Sequence, residues 1–165
     1  MERILGAVAA VVLALIAMAG VAIAIHHAFT SSTSETVVSD MTQVVENARQ
    51  GFNGPTGYVN FQTANEQAMV TSGMFPSDMV QNGNVVDAWG NPITLAPASN
   101  NTEGVITFGG GGSEDAGECA TVVVGLKDYI SLSVGGTTFT PSAPPDKVSA
   151  ANACAAGLQI ALTFR

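Results

Sequence analysis

Basic residues are scarce in this chain of 165 residues. Five lysines and arginines stand against 13 aspartates and glutamates, which gives a formal net charge of −8. After the apolar start of the chain, the basic residues are Arg49, Lys127, Lys147 and Arg165. A surface with such an acidic excess repels phosphate groups, so we expect no direct binding of nucleic acid.

The chain also lacks the residue patterns of the common catalytic sites. Its two histidines, His26 and His27, are adjacent, so on a helix they point about 100° apart and do not face one metal ion. There is no G-x-S-x-G, P-loop or Rossmann fingerprint. Glu114 and Asp115 lie in a Gly/Ser loop, where we expect solvated carboxylates rather than a general acid and base. We therefore expect no enzymatic activity, no metal site and no cofactor.

The most conspicuous feature present is an apolar run at residues 4–25, without charge or proline. As a helix, its 22 residues would be about 33 Å long, enough to cross the hydrocarbon core of a bilayer. Arg3 and the small residues around Ala17 are compatible with a cleaved secretory signal, but we expect the run to stay in the mature protein. Two interpretations then remain: a transmembrane anchor, and a filament subunit whose apolar helix packs against copies of itself.

The helical pattern continues beyond the apolar run and becomes amphipathic. We expect one nearly continuous helix from Arg3 to Gln50, ended by Gly51 and the turn signal Asn53-Gly54-Pro55. Its apolar stripe would cover one face of a sheet formed by the rest of the chain. The stripe consists of side chains at spacings of three and four, namely Val37, Val38, Met41, Val44, Val45 and Ala48.

These patterns divide the chain into an apolar helix at residues 1–25, an amphipathic half-helix at 26–50 and a globular head at 51–165. Within the head, residues 51–92 are rich in glycine, asparagine and proline. We expect this connecting region to form a surface layer with a short helix from Ala64 to Ser72. Residues 93–165 would hold a small antiparallel sheet and the two cysteines.

Strand and helix signals alternate in residues 93–165. We expect strands at 93–96, 105–108, 131–134, 137–140 and 158–164, with Gly135-Gly136 as a hairpin turn. Residues 146–156 predict a short helix with an acidic cap. Residues 119–126 are ambiguous, because Val122-Val123-Val124 favours a strand whereas the charged flanks permit a helix. The run Gly109–Gly112 predicts a flexible loop.

The chain has two cysteines, Cys119 and Cys154. In a head outside the cytoplasm, an oxidising environment permits a disulfide between them. Such a bridge would close a loop of about 36 residues and stabilise the head by about 3 to 4 kcal/mol. The alternative is two free thiols, since two cysteines without a nearby histidine are too few ligands for a metal ion.

Trp89 is the single tryptophan, and a Gly-Asn-Pro turn signal follows it. We expect its ring to anchor the loop, because a tight turn can be pinned by a large side chain. Stacking against a ligand is the alternative.

The layout of the chain resembles that of a type IV pilin, and the type IVb subclass fits best. The resemblance is carried by Met1 and the apolar run behind it, by Glu2, by the segment Asp87-Ala88-Trp89-Gly90-Asn91-Pro92, and by Cys119 and Cys154. The tryptophan segment is also similar to pseudopilins of type II secretion, so it supports the superfamily more than the subclass. Glu2 departs from the family pattern, because it stands nearer the start of the chain than the glutamate of most members.

The resemblance implies an α+β fold in which a long N-terminal helix, apolar and then amphipathic, packs on a small antiparallel sheet. It also implies that a prepilin peptidase of the inner membrane produces a methylated Met1. The pilus assembly machinery would then polymerise the subunit into an extracellular homo-oligomeric filament. Glu2 would pair with the amino group of a neighbouring subunit, or would be a solvated charge at the end of the helix. The residues expected in the filament core are Ile4, Val8, Val11, Val12, Leu15, Ile16, Ala19 and Ile23.

We therefore predict the major structural subunit of a type IV pilus. The alternatives are a pseudopilin of a secretion machine and a membrane-anchored extracytoplasmic binding protein. The surface loops carry no signature that separates adhesion, aggregation, conjugation, DNA uptake and secretion.

Overall fold

Helix α1, residues 32–51, begins the part of the chain that the computed structural model describes, residues 32–165. Met1, Glu2, the apolar run and the predicted filament-core residues lie outside the described part. Within residues 32–165, no helix is both long and apolar enough to cross a membrane. Residues Thr33–Arg165 form one unit, so almost all of α1 belongs with the head.

Helix α1 buries its apolar stripe in the core of the head. Val37, Met41, Val44, Val45 and Ala48 are buried, and Val38 is half-buried against the same core. The helix ends where the sequence signals predict, because Gly51 is its last residue and the amide of Phe52 still bonds to the carbonyl of Ala48. The buried stripe shares one hydrophobic cluster with the sheet.

The sheet has five antiparallel strands, β3 Thr94–Ala98, β4 Glu103–Phe108, β5 Ser131–Val134, β6 Thr137–Phe139 and β7 Ile160–Phe164. Their order in the sheet is β3-β4-β7-β5-β6. The central strand β7 is the last strand in the chain, and it pairs with β4 on one side and β5 on the other. Burial alternates along β4 and β7, as expected for a sheet with one face on the core.

Two helices of ten residues complete this half of the head, α3 Ala116–Gly125 and α4 Lys147–Ala156. Each begins with an aspartate in a capping box, Asp115 for α3 and Asp146 for α4. The ambiguous segment 119–126 is therefore helical up to Gly125. The cap and the burial of its valines outweigh the strand propensity of β-branched residues.

The expectation that residues 51–92 form a surface layer is wrong. This region contains helix α2, Glu66–Thr71, close to the predicted short helix, and a small hairpin of β1, Val80–Gln81, with β2, Asn84–Val85. It contributes much of the core through Tyr58, Phe61, Met69, Met74, Phe75, Met79 and Val85. The apolar residues are isolated in sequence, so no period of two or 3.6 marks them as buried.

Four aromatic rings join this region to the sheet. Phe61 packs edge-to-face on Phe164 of β7 at 5.6 Å between ring centroids, and Tyr58 packs on the same ring at 5.5 Å. Phe61 also contacts the ring of Tyr58 at 5.8 Å and that of Phe52, just after α1, at 5.4 Å. The aromatic cluster therefore connects the end of α1, the connecting region and the central strand.

Asp40 lies on α1 among buried side chains and is 6 % exposed. Burial, and secondarily the carboxylate of Asp78, raise the pKa of Asp40 to about 6. Because the pKa of Asp40 in the folded state lies above its ordinary value of 3.8, the contribution of this group to stability is fully present below that value and is lost as pH rises through about 6.

We therefore expect Asp40→Asn to stabilise the protein at pH 8 by about 1 to 2 kcal/mol, a value reduced for partial solvation, and to change little at pH 4. Urea unfolding of the detergent-solubilised chain at both pH values measures the difference. Asp128→Asn, at an exposed position, is the control. An Asp40→Asn effect of equal size at pH 4 and pH 8 would contradict this assignment.

Candidate functional site

The segment that carries the tryptophan is a turn organised by Asp87. Its main-chain carbonyl accepts the amide of Gly90 at 2.8 Å, and its Oδ1 accepts the amides of Trp89 at 3.0 Å and Asn91 at 2.8 Å. Gly90 has φ +87°, a backbone conformation that favours glycine. Asp87 is 1 % exposed, so the turn is built around a buried carboxylate.

The same carboxylate ties this turn to the glycine-rich loop. The amide of Gly109 donates to Asp87 Oδ2 at 2.9 Å. Asn91 Nδ2 donates to Glu114 Oε2 at 3.0 Å and to Asp87 Oδ2 at 3.3 Å, and the amide of Gly110 donates to Glu114 Oε1. We call Asp87, Asn91 and Glu114, with their main-chain donors, the carboxylate cluster.

The expectation that Glu114 is solvated is wrong, because the structure buries this side chain. It is 5 % exposed and its two oxygens accept hydrogen bonds inside the cluster, whereas the adjacent Asp115 is exposed and caps α3. The loop Gly109–Gly112, predicted to be flexible, is bonded through its first two amides. Glycine suits this loop because the main-chain amides of the loop approach the carboxylates closely. A Cβ at Gly111 would overlap the side-chain amide of Asn91.

The environment shifts the pKa values of the two carboxylates in opposite directions. Burial raises the pKa of Asp87, although the hydrogen bonds from Asn91, Gly109 and Trp89 oppose that shift. For Glu114, burial is also the largest influence, but the hydrogen bonds from Gly110, Asn91 and Ser113 together hold its pKa below the usual value. Because amide donors occupy these oxygens, the cluster is suited to holding the turn and the loop together.

Trp89 lies next to this cluster, with a half-buried ring packed against the core. A Cβ placed on Gly109 would lie 3.8 Å from the ring, which shows how closely the loop passes the indole. Its Nε1 is buried without a hydrogen-bond acceptor in the described part of the chain. The hydrogen bonds that form the turn come from Asp87, and anchoring of the loop by the Trp89 ring stays a prediction.

Cys119 of α3 and Cys154 of α4 form a disulfide, as predicted, with 6.0 Å between their Cα atoms. Both residues are fully buried. The bridge joins two helices that also pack against each other, so it fixes α3 relative to α4. No group of three or more His, Cys, Asp and Glu side chains in residues 32–165 is arranged to hold a metal ion.

Two open clefts adjoin Arg49 at the end of α1. One, of about 470 Å³, is bounded by residues 52–58, residues 100–102 and Arg165. The other, of about 540 Å³, is lined by Lys127, Asp128, Tyr129, Pro141 and Pro144. Arg49 borders both, with Nε donating to the main-chain oxygen of Arg165 at 2.9 Å and Nη2 to that of Asp128 at 2.6 Å. We call these two spaces the basic clefts.

Asp87→Asn tests the carboxylate cluster. The new amide keeps one acceptor but presents N–H groups to the donors of Gly109 and Asn91, so we expect a loss of about 2 to 3 kcal/mol in the free energy of unfolding. Chemical denaturation measures it, with Glu35→Gln at an exposed position of α1 as the control. A loss below about 0.5 kcal/mol, the usual range for a surface change, would show that the cluster does not hold the two loops together.

Comparison with known proteins places these features in a recognised fold. The model of the family described as PilS N terminal matches residues 31–164. The structure is similar to that of a type IVb pilin from Salmonella typhi, with a TM-score of 0.61 and 17 % identity over 79 % of this chain and 97 % of that one. It is also similar to TcpA, a type IV pilin from Vibrio cholerae El Tor biotype, with a TM-score of 0.57 and 13 % identity over 81 % and 99 %. No curated protein sequence matches the chain.

Proposed function

Because the chain belongs to the PilS N-terminal family and has the type IVb pilin fold, which is a structural and non-enzymatic one, we propose that it is the major subunit of an extracellular type IV pilus. Its role in this proposal is mechanical: the N-terminal helices form the centre of the filament and the heads cover them. The family match covers residues 31–164, and we infer assembly from the apolar run that precedes them.

The observation that supports assembly most strongly is the change in character along the N-terminal segment. From Val37 to Ala48, helix α1 buries its apolar stripe in the core of its own head. The 22 residues at positions 4–25 are apolar on every side, so they need either lipid or similar helices around them. A subunit that leaves the membrane can keep this surface away from water only by packing it against other subunits.

The free energy gained by burying the apolar helix is large enough to drive assembly. Burying most of such a helix removes about 1,500 to 2,000 Å² from water, which corresponds to tens of kcal/mol at about 25 cal/mol per Å² before the entropic costs. Individual polar contacts between heads contribute roughly 1 kcal/mol or less. The apolar helices would therefore drive polymerisation, and the heads would determine how neighbours are arranged.

Processing at the N-terminus is part of the same proposal. A prepilin peptidase and the pilus machinery would act on the subunit in the inner membrane, leaving a methylated Met1. Glu2 would then neutralise its charge against the amino group of a neighbouring subunit, since a carboxylate in an apolar bundle is costly unless it is paired. This pairing would set the axial spacing between subunits.

Electron microscopy of material sheared from the producing cells, with mass spectrometry of the subunit, tests the proposal. We expect fibres whose main component is this chain, and no fibres from cells that lack its gene. Subunits found as single copies in detergent extracts, with no fibres in the sheared fraction, would favour an anchored binding protein. Short fibres confined to the cell envelope would favour a pseudopilin.

A further inference from the structure

Basic side chains are concentrated in one place on an otherwise acidic head. Of the four lysines and arginines in residues 32–165, Arg49, Lys127 and Arg165 line the basic clefts. Asp128 is the acidic side chain that lines them. The charged side chains at the clefts are therefore mostly basic, in a chain whose net charge is −8.

The positive charges at the clefts are held in place by main-chain oxygens. Both hydrogen bonds of Arg49 go to such oxygens, and Lys127 Nζ donates to the carbonyl of Val124 at 2.8 Å, near the end of α3. These bonds orient the cations, and none of them goes to a side-chain carboxylate. An anionic group that approaches the clefts would therefore meet preorganised positive charge.

The opposite end of α3 carries negative charge. Asp115 is exposed and Glu118 is half-exposed at its N-terminal end, where they form the capping box. Lys127 follows the other end of this ten-residue helix, which is about 15 Å long. Helix α3 therefore has two carboxylates at its N-terminal end and a lysine just beyond its C-terminal end.

We propose that the acidic end of α3 in one subunit docks at the basic clefts of the next copy of this chain. This inference rests on the proposed function, since it names the contact between heads in the filament. Two different surfaces that meet head-to-tail form a heterologous interface, which propagates into an open helical polymer when the rotation does not close a ring. The charges would determine which neighbour fits and in what register, while the apolar helices supply the driving force.

A charge swap in the full-length chain tests the docking. We expect Lys127→Glu to reduce the yield of sedimentable fibre at low salt by at least about fivefold, because it places like charges together. Glu118→Lys should do the same, and the double variant Lys127→Glu with Glu118→Lys should recover most of the yield. Glu118 also belongs to the capping box of α3. Glu118→Lys and the double variant both lose this box, so a comparison of these two variants cancels its effect.

Lys147→Glu is the matched control, because it changes the net charge equally at the one basic residue of positions 32–165 that lies outside the clefts. Equal yields from Lys127→Glu and Lys147→Glu would overturn the proposal, and so would a double variant no better than the singles. If Lys127→Glu abolished binding of inorganic phosphate while leaving fibre yield unchanged, the clefts would be an anion site instead. Absence of fibres from the unaltered chain would refute the proposed function itself.

Discussion

Replacement of Ala14 by aspartate is expected to abolish filaments while leaving the head folded. Ala14 lies in the middle of the apolar run and outside the described residues. An ionised carboxylate at the centre of an apolar helix costs about 3 kcal/mol even by the lowest membrane scales, and more where neighbours exclude water. Every subunit of a filament would carry this charge, so the penalty recurs at each step of polymerisation.

The head provides an internal control for this variant, because its core begins well after position 14. Formation of the disulfide between Cys119 and Cys154 can be followed by gel mobility with and without reductant. Ala14→Val should form normal filaments, because it stays apolar and β-branching is tolerated inside a helix bundle. Intact fibres from Ala14→Asp would contradict a filament core built from the apolar run.

Removing the disulfide is expected to produce the largest loss of stability in the head. The double variant Cys119→Ser with Cys154→Ser opens a loop of 36 residues, from a sequence separation of 35, and should lose about 4 kcal/mol. Two hydroxyl groups would also replace fully buried sulfur atoms, which adds a desolvation cost of roughly 1 kcal/mol or more. Helices α3 and α4 would then depend on packing alone.

Guanidinium unfolding of the double variant and of the native protein measures this loss. The native protein under strong reductant is the matched control, because it lacks the bridge but keeps both sulfur atoms in the core. The difference between the double variant and the reduced native protein isolates the effect of the serine hydroxyls. A loss below about 1 kcal/mol in both would mean that α3 and α4 are held by their packing, and that the chain-entropy argument fails here.

Elements with a regular hydrophobic period could be predicted from the sequence. The stripe of α1 repeats every three to four residues, and Gly135-Gly136 separates two short alternating strands, so both signals are local. The structure has β5 and β6 at these positions. Other core residues of the connecting region could not be recognised, because a residue such as Phe61 has no periodic apolar neighbours in sequence and becomes buried only when the sheet and α1 pack around it.

The carboxylate cluster shows a different limit of sequence reasoning. Trp89 was the conspicuous residue of its segment, yet Asp87 forms the hydrogen bonds. An aspartate followed by asparagine four residues later, with Gly90 between them, is a signal for a turn built on a side chain. The partners Gly109 and Glu114 lie more than 20 residues away, and no local pattern shows that a polar residue in a glycine-rich loop is buried.

Helical reconstruction of sheared fibres by cryo-electron microscopy tests the central claim most directly, because it locates the apolar run within the polymer. We expect a bundle of helices from residues 4–25 along the fibre axis, surrounded by heads with the fold of residues 32–165. Fibres whose axis is occupied by the heads, with the apolar run on the outside or absent, would contradict the account.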